Sequence, residues 1–294
     1  MLFSEGASLS KSGVSPRRPR PPAPMTRTKE HPKSRQGLAK DLEVAFGFLT
    51  VFPVPARVWD GPAGYGRAFS WFPVVGLALG AVMAAAGFVF SLVLPAGVSA
   101  ALIVALWVFL TGGLHLDGLM DSCDGLFCSK PPDERLAVMR DSRVGAFGAL
   151  GAVVVLLVKY SAIAALFELS AVSLISALVV APVLGRWAMA LAVVAFPYHR
   201  HGDTLGGTFI AGAGRRQLVL ASASGLAVLG GLAAFQGSLA PFAALAAGAI
   251  AAVAIAWFAF SRLPGLTGDV YGATCEAVEA AALVALVGVV GWVL

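Results

Sequence analysis

Three aspartates, Asp117, Asp121 and Asp124, are spaced four and three residues apart in the run Leu114-His-Leu-Asp-Gly-Leu-Met-Asp-Ser-Cys-Asp-Gly125. On a helix these spacings put all three carboxylates on one face. Like charges so placed repel one another. A solvated acidic face would intersperse them with Glu, Lys and Gln, whereas here the neighbours are Gly, Leu and Met. A divalent cation relieves such crowding, and hard oxygen ligands select Mg²⁺ or Mn²⁺. Mg²⁺ held by a few carboxylates commonly gives its remaining positions to substrate phosphates. Cations suited to phosphate follow in Met139-Arg140-Asp141-Ser142-Arg143-Val144-Gly145. Arg140 and Arg143 are one helical turn apart, and a guanidinium grips phosphate at two points. The same two arginines serve equally well as charges that fix membrane topology.

The elements that must position these groups are apolar. Of 294 residues, 58% are hydrophobic and 13% are charged, with a mean hydropathy of +0.84. A soluble domain carries about 25% charged residues, so a water-soluble globule is excluded, as is a disordered or disulfide-stapled chain. The 34 glycines follow no collagen-like period and suit close packing between membrane helices. The fold class expected is all-α, a polytopic membrane bundle.

At about 20 apolar residues per crossing, seven spans are expected: 68–94, 98–114, 144–167, 174–197, 217–235, 242–260 and 274–294. Residues 42–54 are apolar but too short to cross, and predict an interfacial or re-entrant helix. The turns at 95–97, 168–173 and 236–241 contain no Lys or Arg. The connections 115–143, 198–216 and 261–273 contain Lys130, Arg135, Arg140, Arg143, Arg200, Arg215, Arg216 and Arg262. The positive-inside rule then places the N-terminus and the acidic cluster in the cytoplasm and the C-terminus outside, in a multi-pass cytoplasmic (inner) membrane protein.

Residues 1–40 hold nine Lys/Arg against Glu5 and Glu30, although the whole chain is only +5. The basic excess is therefore a tail. Residues 1–36 are expected to be a disordered basic arm and 37–294 the integral membrane domain. Among its first forty residues Phe3 is the single aromatic, so nucleic acid is not an expected partner; the lipid bilayer is. Cys123 and Cys128 lack the further Cys or His pair of a zinc site.

Two other places carry groups that a bilayer resists. Arg186 interrupts the fourth span, and Lys159 the third, where nothing nearby in sequence suggests a role. Thr267-Gly268-Asp269 precedes the last span, with Glu276 and Glu279 at its head. The Thr-Gly-Asp turn is readable as a helix cap, yet it falls on the same side as the aspartates, as does His199-Arg200-His201. Together these groups indicate a membrane-embedded, metal-dependent phosphotransferase.

Gly112 to Gly125, followed by Met139-Arg-Asp-Ser-Arg143-Val-Gly-Ala-Phe-Gly148, resembles the signature of the cobalamin synthase family, adenosylcobinamide-GDP ribazoletransferases. Phe48 to Pro55, Trp71 to Gly76, Gly185 to Met189 and Leu266 to Ala273 match further family segments in order, over about residues 41–280. The tail before Lys40 is extra, and Cys123 and Phe127-Cys128-Ser129 replace small or Gly-rich stretches; no acid of the motif is lost. The resemblance implies that a ribose hydroxyl of α-ribazole, or of its 5′-phosphate, attacks adenosylcobinamide-GDP and displaces GMP. The expected cofactor is Mg²⁺ on Asp117, Asp121 and Asp124. Arg143 and Arg140 would stabilise the departing GMP, and His115 or Asp141 would take the hydroxyl proton. Ser142, Arg186, Thr267 and Asp269 would join Arg140 in binding substrate. A homo-oligomer is compatible with this reading.

Two rival classes are weighed against it. A CDP-alcohol phosphotransferase needs Ala-Arg after its Asp-x-x-Asp-Gly and two further aspartates; Phe127-Cys128 stands in that place and no such pair follows. A transporter lined by Arg186 and Lys159 leaves the acidic cluster without a purpose, since transporter sites lie near the midplane.

Overall fold

The computed structural model describes residues 35–55, 65–199, 210 and 212–293, and is almost entirely helical. Eleven helices serve as landmarks here. They are α1 (Arg35–Leu49), α2 (Tyr65–Ala68), α3 (Phe72–Ser91), α4 (Ala96–Leu110), α5 (Leu114–Phe127), α6 (Pro132–Met139), α7 (Ala146–Leu169), α8 (Ala171–Ala195), α9 (Arg215–Gln236), α10 (Ala240–Phe260) and α11 (Gly268–Val293). Of the expected tail, residues 1–36, the first 34 lie outside the described residues, as do Arg200 and His201. Arg35 and Gln36, assigned above to the tail, are already in α1.

Among the described residues, six helical stretches are long and apolar enough to cross a membrane: Tyr65–Ser91, Ala146–Leu169, Ala171–Ala195, Arg215–Gln236, Ala240–Phe260 and Gly268–Gly291. The seventh expected span takes a different form. Helix α4 has only 15 residues, about 22 Å at 1.5 Å per residue, which is short of a ~30 Å hydrocarbon core. The chain then turns by 89° into α5. The elbow is Thr111-Gly112-Gly113, where both glycines adopt positive φ (61° and 71°), a conformation that side chains with a Cβ rarely tolerate. The amide of Val51, from the segment after α1, donates to the Leu110 carbonyl at 2.9 Å and so caps the end of α4.

Helix α8 runs through the middle of the bundle. Its residues from Ser176 to Gly185 are all buried, as expected for a helix apolar all round. Small residues set how closely its neighbours approach. A Cβ on Gly76 of α3 would come within 2.5 Å of the Pro182 carbonyl oxygen, and one on Gly80 within 2.6 Å of the Val179 Cα. Helix α10 faces the core with Ala244, Gly248, Ala252 and Ala256, all buried at four-residue intervals. Without a hydrophobic drive inside lipid, such close backbone contact is what holds membrane helices together. Large side chains such as Phe88, Phe109, Leu150, Ile250 and Trp257 point outward.

One end of the bundle gathers the connections that carry the acids. Tyr198 and Leu266 form a short parallel bridge, with the His199 amide on the Leu266 carbonyl and the Leu266 amide on the Pro197 carbonyl, each at 2.9 Å. Arg67 Nε meets Asp41 at 2.9 Å and ties α1 to α2. The last helix begins at Gly268 rather than at Thr274, so the Thr-Gly-Asp turn is its first turn, with Asp269 half-buried there instead of in a solvated loop.

Candidate active site

Helix α5 lies across this end and presents the acidic run. Its seat on α11 is made by glycine: a Cβ on Gly118 would meet the Asp269 carbonyl oxygen at 2.9 Å, and one on Gly272 the His115 carbonyl oxygen at 3.0 Å. This close crossing brings Asp269 to the aspartates of α5. Asp121 is half-buried, and burial together with the charges of Asp117, Asp269 and Asp124 pushes its carboxyl up to about 6. Asp117 is exposed at the rim. Arg140, at the end of α6, is close enough to act on the charge of Asp269. Thr267 donates from Oγ1 to the Asp269 carboxylate at 3.3 Å and orients it.

Asp124 has a second task. Its two oxygens accept from the amides of Gly145 (2.7 Å) and Gly148 (2.8 Å) at the start of α7. Those amides have no partner within α7, and a carboxylate at a helix N-terminus also meets the positive end of the helix dipole. Side chains at Gly145 or Gly148 would collide with the Asp124 carboxylate, so the Gly-Ala-Phe-Gly spacing admits α5 to the end of α7. The motif thus joins two segments 21 residues apart in a single contact. Spacing alone gave no sign of it.

The remaining predicted residues separate into two groups. Arg143 and Asp141 sit at the exposed α6–α7 connection as a two-point ion pair (2.7 and 3.0 Å), which holds the Asp141 carboxyl down at about 2. Ser142 beside them is exposed. His115 and Arg186, by contrast, are in the interior, 1% and 0% exposed. Neither His115 ring nitrogen has a protein partner among the described residues. Arg186 binds Glu279, and Lys159 binds both Glu276 (2.5 Å) and Glu279. The lysine that lacked a role in sequence therefore has two carboxylate partners, more than a hundred residues away.

Asp117, Asp121, Asp124 and Asp269 supply only hard carboxylate oxygens, and burial together with the other three charges raises Asp121; the donor chemistry fits a divalent cation such as Mg²⁺. As the side chains stand, no three His, Cys, Asp or Glu among the described residues converge to hold an ion.

Comparison with known proteins agrees with the resemblance seen in the sequence. The family model described as Cobalamin-5-phosphate synthase matches residues 41–287. A protein of Roseiflexus sp. named adenosylcobinamide-GDP ribazoletransferase is 35% identical over 277 residues, covering 89% of this chain and 94% of the relative. Two others with the same name, from Desulforamulus reducens and Geotalea daltonii, are 38% and 37% identical, covering 81% and 84% of this chain and 92% and 97% of their own lengths. No solved structure matches. The chain belongs to the cobalamin-5-phosphate synthase family, enzymes of cobalamin biosynthesis.

Proposed function

We propose that this enzyme, an adenosylcobinamide-GDP ribazoletransferase acting at the nucleotide-loop closing step, works with Mg²⁺ on adenosylcobinamide-GDP and α-ribazole or its 5′-phosphate. A ribose hydroxyl oxygen bonds to the cobinamide-side phosphorus, the bond from that phosphorus to the bridging oxygen breaks, and GMP leaves with the bridging oxygen. The hydroxyl proton passes to a carboxylate of the site. The product is adenosylcobalamin or its 5′-phosphate.

The observation that carries this reading is the crowding of Asp121 by Asp117, Asp124 and Asp269, with Arg140 beside them. Asp117 and Asp121 would hold the ion. Asp124 would contribute through the lone pair that each of its oxygens keeps after accepting one amide, and Asp269 would close the acidic rim from α11. When bound, the ion neutralises diphosphate charge and makes the phosphorus easier to attack. Arg140 and Arg143 would supply counter-charge to the leaving phosphate, and Asp141 would hold the Arg143 guanidinium in a fixed orientation. The site is proposed to face the cytoplasm of a bacterial inner membrane, on the partition of Lys and Arg between connections.

The experiment is direct. Purified enzyme in lipid or detergent, given both substrates, should release GMP only with a divalent cation, and far less of it after Asp117→Asn. Equal release in EDTA would sink the metal assignment. No release under any condition would sink the substrate assignment.

A further inference from the structure

Four charged side chains meet inside the bundle, away from the aspartates and wholly enclosed. Lys159 of α7 binds Glu276 and Glu279 of α11, and Glu279 also binds Arg186 of α8. All four are at most 6% exposed. Lys159 also stands over the Trp107 ring of α4, 4.4 Å from its centroid. The group is neutral overall, two cations against two carboxylates. The carboxylates of the acidic rim are not part of it, and charges in a membrane interior are rare and expensive enough to point to a role.

The spacing on α11 suggests that purpose. Asp269 of the acidic rim, Gly272 of the α5 seat, Glu276 and Glu279 follow at intervals of three, four and three residues. On a helix that is one stripe. A turn of α11 by a single residue, about 100°, would withdraw Glu279 from Arg186 and Asp269 from α5 together. Apolar packing of Ala-rich faces is weakly selective against such slips, because alanines and valines recur all round α11. Buried charges are highly selective: a carboxylate without its cation in that interior is strongly disfavoured.

We infer that Lys159, Arg186, Glu276 and Glu279 form an intramembrane register lock that fixes the rotation of α11 and thereby holds Asp269 against Asp117 and Asp121. These are positioning residues, acting through Asp269. The consequence for cation affinity rests on the proposed metal reading; the consequence for geometry does not.

Removing Glu279 alone strands Arg186 and invites misfolding, so the test uses a balanced pair, Lys159→Met with Glu276→Gln, which keeps the interior neutral. The full chain, with Cys123, Cys128 and Cys275 replaced, carries spin labels at Lys130→Cys and Gly268→Cys. Both positions are exposed, and a Cβ at Gly268 meets nothing within 4 Å. The lock predicts a narrow distance distribution in the parent, and a shifted or broadened one in the balanced pair. It also predicts a several-fold higher Mg²⁺ midpoint for GMP release in the pair. Adding Asp269→Asn to the pair should raise the midpoint no further than Asp269→Asn alone, since both act through one residue. An unchanged label distance overturns the inference, as does a pair whose effect on the midpoint adds fully to that of Asp269→Asn. If the label distance shifts while Asp117→Asn and Asp269→Asn each leave the Mg²⁺ midpoint at its parent value, the lock stands and the metal reading fails.

Discussion

Replacing Asp121 with Asn should make the metal-free protein more stable while abolishing most of its activity. The carboxyl is raised from 3.8 to about 6, a gap equivalent to about 3 kcal/mol at roughly 1.4 kcal/mol per tenfold change. Asp121 is only partly buried, and solvent screening reduces the figure to about 1 kcal/mol. The sign follows from linkage. The folded protein binds this proton more tightly than the unfolded chain does, so stability is full at low pH and declines as pH rises through 4 to 6. Above pH 6 the folded state carries the whole penalty, and Asn removes it.

Thermal unfolding in detergent with EDTA at pH 7.5 should therefore give a midpoint about 2–4 °C higher for Asp121→Asn. Acidifying to pH 5 should narrow the difference. Mg²⁺ should reverse the order, because an ion that binds only the folded wild type stabilises it by mass action. Turnover should fall by about 100-fold or more. If Asp121→Asn is the less stable protein in EDTA at pH 7.5, neither burial nor the other aspartates penalise its carboxylate, and the electrostatic argument for a cation site collapses.

Asp124→Asn should shift stability the opposite way: it weakens two charge-assisted bonds to the α7 amides, at a cost of about 1–2 kcal/mol, visible as a lower unfolding midpoint even in EDTA. Asp133→Asn and Glu134→Gln, both exposed in the first turn of α6, should leave GMP release and its Mg²⁺ midpoint within twofold of wild type. A reporter fused to the C-terminus should be active only outside the cytoplasm; cytoplasmic activity would invert the proposed orientation.

The membrane bundle was legible because it depends on local quantities. Apolar length located five of the crossings to within three residues at each end, and the four-and-three spacing of the aspartates held on α5. The errors have a common physical origin. The sequence rule ends a span where charge begins, so Asp269 was placed before the last span; the helix in fact starts at Gly268, with Asp269 half-buried in its first turn and Glu276 and Glu279 buried further along. The same rule could not foresee that Gly112-Gly113 would bend α4 into α5, since a run of apolar residues looks continuous until two positive φ angles break it.

The stripe on α11 marks where local reading stops. Its four positions, 269, 272, 276 and 279, are visible in the sequence as a helix face. What makes the face meaningful is the identity of its partners, Gly118 and the α5 aspartates at one end, Lys159 and Arg186 at the other. Those partners lie on three different helices, and no period within α11 encodes which residue meets which. Lys159 was conspicuous for its cost in the membrane, and that cost was itself the signal: two unexplained cations in spans and two acids three residues apart in another are most cheaply resolved by meeting. Charge balance inside the bilayer thus constrains helix pairing much as hydrophobic periodicity constrains helix formation. In this fold the pairing it selects is the one that sets Asp269 against α5.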